Sequence, residues 1–338
     1  MRVSAPSNFY KTKRSDHDFP LRKFERDKSK LPFIKQLNQG NTMNQYEMRD
    51  PRDQYQKPPF EKQPQDAPGL TQPMSPTPDH GEESYKGLGR LKGRKALVTG
   101  GDSGLGRAAV IAYIREGAEV TINFLPEEKT DVQSLQELVE KEGGVLHTIP
   151  GDLTDKNFCI RLIKESQDKM NGLDILVVNA GKQVYQEDFS EISDEQFDQT
   201  MKTNIYAMFW LTREALNVMP AGASIINVTS ILGYRASPNL LDYSTSKFAI
   251  RGFTQGLAPI ALEKGIRVNA VAPGPFWTPL QPSGGQSQEN VTSFGEKYPM
   301  GRPGQPAELA STFVFLASQE SSFISGEIIG ATGGVALS

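Results

Sequence analysis

The run Lys95-Ala96-Leu97-Val98-Thr99-Gly100-Gly101-Asp102-Ser103-Gly104-Leu105-Gly106 decides the fold. Its first five residues, with an apolar centre, read as a buried strand. Residues 104–117 read as a helix, with Ala108, Val110, Ile111 and Ile114 on its apolar face. Glycines between a strand and a helix permit a tight turn and let the backbone approach a pyrophosphate at the helix N-terminus. The spacing is Gly-x-x-x-Gly-x-Gly rather than Gly-x-Gly-x-x-Gly. A glycine cluster alone also serves an ordinary turn. The strand before it and the helix after it favour a dinucleotide loop, in which Gly100, Asp102, Ser103, Gly104, Leu105 and Gly106 contact the cofactor.

Outward from this loop, strand and helix patterns alternate. Strands are predicted over 119–123, 145–150, 174–178, 224–228, 267–271 and 327–329. Helices are predicted over 131–142, 155–170 and 307–317, and a long one passes through Phe197, Met201, Ile205, Met208 and Leu211. Another carries Tyr243. Such alternation gives an α/β, Rossmann-like, doubly wound parallel sheet of about seven strands in the order 3-2-1-4-5-6-7, flanked by helices. Ligands then sit at the carboxyl edge, where the strand order reverses. Asn123 and Phe124 end the second strand, on the adenosine side of that edge. Asp152 and Leu153 follow the third, placing an acid where an adenine ring would lie. Asn179, Ala180 and Gly181 end the fourth and face the glycine loop.

Tyr243 and Lys247 stand at i and i+4, hence on one helical face. An ordinary tyrosine, with a pKa of about 10, is a poor acid–base near neutrality. A neighbouring ammonium favours the phenolate, as does an oxidised nicotinamide, which gives Lys247 a reason to be there. Ser230, thirteen residues before the tyrosine, can donate to a substrate oxygen. Asn204, in the long helix, can hold a water against Lys247. Taken alone, a Tyr-x-x-x-Lys pair also fits an exposed helix surface; the joint pattern points to hydride and proton transfer on a carbonyl or alcohol.

The chain has 338 residues, enough for one large domain plus an appendage. A net charge of -3 offers no basic field for nucleic acid. One cysteine, Cys159, excludes an internal disulfide, and His17, His80 and His147 lack ligand spacing, so no metal site is expected. No apolar run of about 18 residues is present to span a membrane. Basic residues near the N-terminus precede no apolar stretch of a secretory signal, and Lys13-Arg14 lacks twin-arginine context, so a cytoplasmic protein is expected. Residues 1–90 hold nearly half of the 23 prolines and little periodicity. Residues 1–45 read as a disordered tail, with Met43 a second candidate start of translation. Residues 46–90, with Tyr55, Phe60, Leu70, Met74, Tyr85 and Leu88 as scattered anchors, read as an extended Pro-rich arm lying on the globular surface or on a neighbouring subunit. Residues 91–338 form the nucleotide-binding domain.

Together these residues resemble the short-chain dehydrogenase/reductase superfamily in its single-domain form, over residues 91–338. The resemblance implies Tyr243 as the catalytic acid–base and Lys247 as binder of the nicotinamide ribose. It implies Ser230 as the group polarising the substrate oxygen and Asn204 as the fourth member of the tetrad. Pro273 and Gly274 would flank the nicotinamide, Thr278 would contact its amide, and substrate would meet Ser230 and Tyr243. A homotetramer is also implied, through helices of residues 194–218 and 239–263. The runs Thr99-Gly-Gly-Asp-Ser-Gly104, Pro273-Gly-Pro-Phe-Trp-Thr-Pro279 and Met300-Gly-Arg-Pro-Gly-Gln-Pro306 are similar to a bacterial subgroup of uncharacterised and stress-related oxidoreductases. That subgroup includes an enterobacterial NADP-dependent aldehyde reductase, and its members carry a Pro-rich arm like residues 55–90. Two departures matter. Val178 replaces the asparagine that often precedes Asn179. Asn123-Phe124-Leu125 lacks the aspartate that would select NAD, and no arginine or lysine at Ser103 or Leu125 pairs a 2'-phosphate. The cofactor is therefore NADP or NAD, with the missing acid favouring NADP and Asp102 opposing it. The segment 276–298 is expected to form a lid, with Phe276, Trp277 and Leu280 as an apolar wall opposite Tyr234, Leu240 and Leu241, or as packing residues. The chemistry is reversible, so reduction of an aldehyde or ketone and oxidation of an alcohol or sugar both fit; a non-catalytic nucleotide-binding protein that engages partners through its arm is the alternative that a complete tetrad disfavours.

Overall fold

A computed structural model describes residues 45–338; the expectations for the tail and for Met43 lie outside the described residues. The strands are β1 Lys95–Thr99, β2 Glu119–Phe124, β3 Leu146–Pro150, β4 Ile175–Val178, β5 Ser224–Val228, β6 Arg267–Pro273 and β7 Ile328–Ala331. All pair in parallel, in the order β3-β2-β1-β4-β5-β6-β7, as the alternating pattern predicts. The central strands are buried on both faces, which is why their sequences run apolar rather than alternating.

Helices cover both faces. On one side α1 (Gly104–Arg115), α2 (Lys129–Lys141) and α8 (Ala307–Ala317) enclose a core that includes Val98, Ile111, Ile122 and Phe313. On the other, α3 (Lys156–Met170), α5 (Ala207–Val218) and α6 (Leu241–Leu262) enclose Leu97, Leu162, Leu176 and Leu211. Short helices α4 (Asp194–Met201) and α7 (Gln288–Thr292) complete the set. The expected single long helix is divided: α4 and α5 are joined by a wide π turn over Lys202–Tyr206 that contains Asn204. Such a turn leaves little trace in periodicity, because it inserts one residue without breaking the apolar face.

The arm from residue 45 to 90 carries almost no regular structure and lies on the surface of the domain. Its anchors are specific. The Phe60 ring packs on Trp277 with centroids 4.3 Å apart, and the Trp277 indole N–H donates to Pro76 O at 2.7 Å. The Arg302 guanidinium donates to Pro51 O and pairs with Glu308. The arm then enters the domain through Glu116, a fully buried carboxylate just past α1. Glu116 accepts from the Tyr85 hydroxyl at 2.6 Å, the Arg90 guanidinium at 2.6 Å, and the backbone N–H groups of Leu88 and Arg90 at 2.9 Å. Burial pushes its pKa up, but these donors outweigh burial and hold it at about 2. A carboxylate depressed in the folded state contributes stability above its ordinary pKa, lost as pH falls through the folded value. Glu116→Ala is expected to cost about 3 kcal/mol, as for a broken buried pair. Denaturant melts would measure it, and a wild-type melting curve retained by Glu116→Ala would remove the anchor role.

Candidate active site

A cleft of about 930 Å³ opens at the carboxyl ends of β1, β4, β5 and β6, within the range of small-molecule and cofactor sites. The β1–α1 loop forms one wall through Gly100, Asp102, Ser103, Gly104 and Leu105. Ser103 makes no side-chain cap on α1, and the first turn of α1 holds no acid. The helix therefore presents uncapped N–H groups and its positive end to the cleft, the condition a diphosphate requires. Gly106 lies behind this wall. A Cβ there would fall 1.9 Å from Gly100 O, so glycine is what lets α1 close on the end of β1. Asn179, just past β4, fixes the loop by donating through Nδ2 to Thr99 O at 3.0 Å and Gly100 O at 2.9 Å. In return the Thr99 hydroxyl oxygen accepts from the N–H groups of Asn179 and Ala180. Ala180, Gly181, Pro273, Gly274 and Thr278 line the same cleft.

At the far end Asn123, Phe124, Asp152 and Leu153 line the cleft. The Asn123 amide is already engaged, donating to Ile149 O and Gly151 O across the end of β3. Asp152 caps its own loop through Thr154 N. Two further acids were not singled out together by sequence. Asp102 is 1% exposed and its carboxyl oxygens lack a partner in ordinary hydrogen-bond geometry, although its own backbone N–H and the Ser103 hydroxyl lie near enough to pull its pKa down. Glu128 also lines this end and accepts from Leu125 N at 2.8 Å. Burial first, and then like charge, pushes Asp102 up to about 7 and Glu128 up to about 8. Asp131 adds repulsion to both, Glu127 adds it to Glu128, and Arg107 opposes it at Asp102. Glu128 sits in a polar stretch without periodicity, so nothing in the sequence marked it.

Tyr243, Lys247 and Ser230 meet on the floor of the cleft. The first two come from one face of α6, and Ser230 from the loop after β5. Lys247 Nζ is 5.2 Å from the Tyr243 ring centroid and donates to Val228 O at 2.9 Å. Burial raises Tyr243 to about 12, with the facing Ser230 hydroxyl pulling it down; burial lowers Lys247 to about 7. Desolvation thus outweighs the expected stabilisation of the phenolate by the ammonium, because both groups are cut off from water.

Asn204 does not line the cleft. Its Oδ1 accepts from Lys182 N at 2.7 Å, and its Nδ2 donates to Lys182 O and Ser246 Oγ at 2.9 Å each. These bonds tie the π turn to the β4 loop and to α6. The amide thus has a positioning role.

The substrate side divides the residues expected either to form an apolar wall or to pack. Phe276, Leu280 and Leu240 line it. Trp277 is fully buried and turned toward the arm, Tyr234 stacks under Arg251 at 4.2 Å, and Leu241 lies away from the cleft. Polar side chains take their place, among them Gln183, Tyr185, Asn239, Gln286 and Tyr298. Gln183 Nε2 donates to Gly285 O at 2.5 Å, joining the β4 loop to the lid. Aromatic residues next to a motif can face either way, and only the packed arm shows that Trp277 faces outward.

Residues 100–336 match the family model described as Enoyl-(Acyl carrier protein) reductase. The uncharacterized oxidoreductase YghA of Escherichia coli is 52% identical over 85% of this chain and 98% of its own length. The glucose and ribitol dehydrogenase of Daucus carota is 41% identical over 79% of this chain and 93% of its own. The chloroplastic NADPH-dependent aldehyde reductase 1 of Arabidopsis thaliana is 40% identical over 82% and 98%. Among solved structures, a short chain dehydrogenase from Burkholderia cenocepacia in complex with NADP superposes with a TM-score of 0.68 at 28% identity, covering 72% of this chain and 98% of that one. With this sheet order, glycine loop and relatives, the chain belongs to the short-chain dehydrogenase/reductase superfamily, as an oxidoreductase acting between an alcohol and a carbonyl group.

Proposed function

We propose that the protein reduces a small aldehyde or ketone with NADP(H) or NAD(H), the proton coming from Tyr243. The observation that carries this reading is the meeting of the Tyr243 phenol with Ser230 and Lys247 on the floor of the cleft, opposite an uncapped helix terminus. Burial keeps the phenol protonated through the neutral range, so it is able to give its proton to a developing alkoxide. When bound, the nicotinamide supplies or accepts the hydride. Ser230 donates to the carbonyl oxygen and fixes its approach, while Lys247 holds the ribose beneath Tyr243. Asn204 keeps the β4 loop and α6 in register through Lys182 and Ser246.

The polar substrate wall and the likeness to the carrot glucose and ribitol dehydrogenase also fit oxidation of a polyol or sugar, so the deciding assay runs both directions. It uses simple aldehydes, hydroxyaldehydes and polyols with each cofactor, following reduced-nicotinamide absorbance. Turnover of hydroxylated substrates only in the oxidative direction would overturn the reductive reading.

The same assay reads cofactor choice. The absent acid at the end of β2 favours NADP(H), in line with the NADP-bound Burkholderia structure and the plant NADPH-dependent relative. Asp102 and Glu128, however, line the end where a 2'-phosphate would lie, and they are neutral only below about 7 and about 8. As pH rises through that window they ionise and repel phosphate, so preference shifts toward NAD(H). A swing of roughly tenfold in the ratio of the two affinities, about 1.4 kcal/mol, is expected between mildly acid and mildly alkaline buffer. A ratio independent of pH would place the 2'-phosphate away from both acids.

Phe197, Tyr206, Phe209 and Phe248 stand exposed on α4, the π turn, α5 and α6. Apolar exposure of this kind marks an association surface, and it supports a homotetramer through these helices. Among the described residues no helix is long and apolar enough to cross a membrane, and no group of His, Cys, Asp or Glu could hold a metal. A cytoplasmic site of action fits the buried free thiol of Cys159.

A further inference from the structure

Residues 65–71 of the arm cross the mouth of the cleft. On one bank Gln65 N donates to Pro282 O of the lid at 3.2 Å. On the other, Thr71 N donates to Asp131 Oδ2 in the first turn of α2 at 2.9 Å. Between these points Leu70 N donates to Gln65 Oε1 at 2.8 Å and closes the segment on itself, so that Ala67, Pro68 and Gly69 face the cleft. Gly69 lies hard against the lid: a Cβ there would fall 2.6 Å from Pro279 O and 2.8 Å from Ser283 Cβ.

Buried polar atoms without partners gather around this crossing. They are both oxygens of Asp102, Oε1 of Gln281, Nε2 of Gln65 and Oγ1 of Thr71. Asp102 and Gln281 are 1% and 8% exposed, and both line the cleft. Buried polar groups are almost always hydrogen-bonded, and leaving several unpaired around one opening is costly unless a ligand satisfies them. The opening they surround lies beside the uncapped N-terminus of α1, where a diphosphate would rest.

We propose that arm residues 65–71, together with Gln281 of the lid and Asp102 of the glycine loop, form a clasp over the diphosphate and adjoining ribose of the dinucleotide. This rests on the nicotinamide-cofactor reading above. Gln281 supplies an amide able both to donate to a phosphate oxygen and to accept from a ribose hydroxyl, and Asp102 accepts from a hydroxyl when ionised. The arm is then part of the cofactor site, and release requires the segment to lift from the lid and from α2 at once.

The test uses the full chain. Dissociation of NADPH and of NADH is followed by loss of reduced-nicotinamide fluorescence after a chase with oxidised cofactor. Gln65→Ala, which removes the bond closing the segment, is expected to speed release by about fivefold, the effect of one ordinary hydrogen bond. Gln65→Glu keeps an acceptor for Leu70 N but replaces the free Nε2 donor with a negative charge over the diphosphate, and is also expected to release faster than wild type. The Gln65→Ala/Gln281→Ala pair should release at least about tenfold faster. Saturating NADPH should also slow proteolytic cleavage within residues 65–72 of the wild type. Release rates unchanged in all variants, with cleavage indifferent to cofactor, would overturn the clasp while leaving the cofactor reading intact. A lowered melting temperature without faster release would overturn it too, by showing a structural role only. A wild type that binds neither reduced cofactor would overturn both.

Discussion

Tyr243→Phe is expected to lower kcat for carbonyl reduction by roughly a thousandfold, inside the range that a positioned acid–base supplies. The ring is 8% exposed and packs on the floor of the cleft, so phenylalanine keeps its contacts and loses only the hydroxyl. Lys247 retains its bond to Val228 O, and Ser230 retains its bond from Leu232 N. Binding of reduced cofactor, read by fluorescence titration, should therefore stay within about threefold of wild type, because less than about 0.7 kcal/mol of binding is touched. A loss confined to kcat with an unchanged cofactor constant is the mark of an interaction made in the transition state. The wild-type pH profile supplies a second check. Because burial holds the phenol at about 12 and reduction needs the protonated form, reductive turnover should not fall through neutrality from loss of this proton. Comparable kcat in Tyr243→Phe would remove the tyrosine from the proton step and leave Ser230 or a water to supply it.

How far sequence carried these conclusions depends on the range of the interaction involved. The β1–α1 unit was legible because its signals are local: five residues of strand, a glycine turn and an apolar helix face lie within about twenty positions. The strand order followed, since right-handed crossovers leave few ways to connect such units. The pairing of Tyr243 with Lys247 was legible for the same reason. The π turn at Asn204 was not, because the apolar periodicity of Met201, Ile205 and Met208 continues across it. The course of the arm was not either. Its contacts reach across more than 200 residues, from Pro76 to Trp277 and from Pro51 to Arg302, and they run through backbone carbonyls that carry no residue-type signal. That hidden layer also decides which way the lid aromatics turn. Trp277 sits beside the cofactor motif in sequence, but its indole is drawn outward by Pro76 and Phe60. The shifted acids belong to the same class of long-range effect, since the burial of Asp102 and the approach of Asp131 that raise it arise only in the folded arrangement.

Gly106→Ala should separate the cofactor site from the catalytic floor more sharply than any change to a charged residue. The added Cβ would lie 1.9 Å from Gly100 O and 2.6 Å from Asn179 Nδ2, far inside van der Waals contact. Neither neighbour can yield alone. Gly100 holds a positive φ of 58°, and its carbonyl accepts from the same Asn179 amide that also binds Thr99 O. Relief must therefore move the start of α1 away from β1, taking the uncapped N–H groups with it. Losing two charge-assisted bonds to a diphosphate, at about 1.5–3 kcal/mol each, corresponds to a loss of at least about a hundredfold in affinity for NADH and NADPH alike. Equal loss for both cofactors is the diagnostic part, because the diphosphate is common to both. Gly252→Ala in α6 is the control. Its Cβ would meet nothing within 4 Å, and it lies outside the cleft. It should bind both cofactors within a few-fold of wild type, at a cost under about 1 kcal/mol. Fluorescence titration and thermal melts of the two variants decide the matter. Full affinity in Gly106→Ala would mean that the β1–α1 turn does not hold the diphosphate.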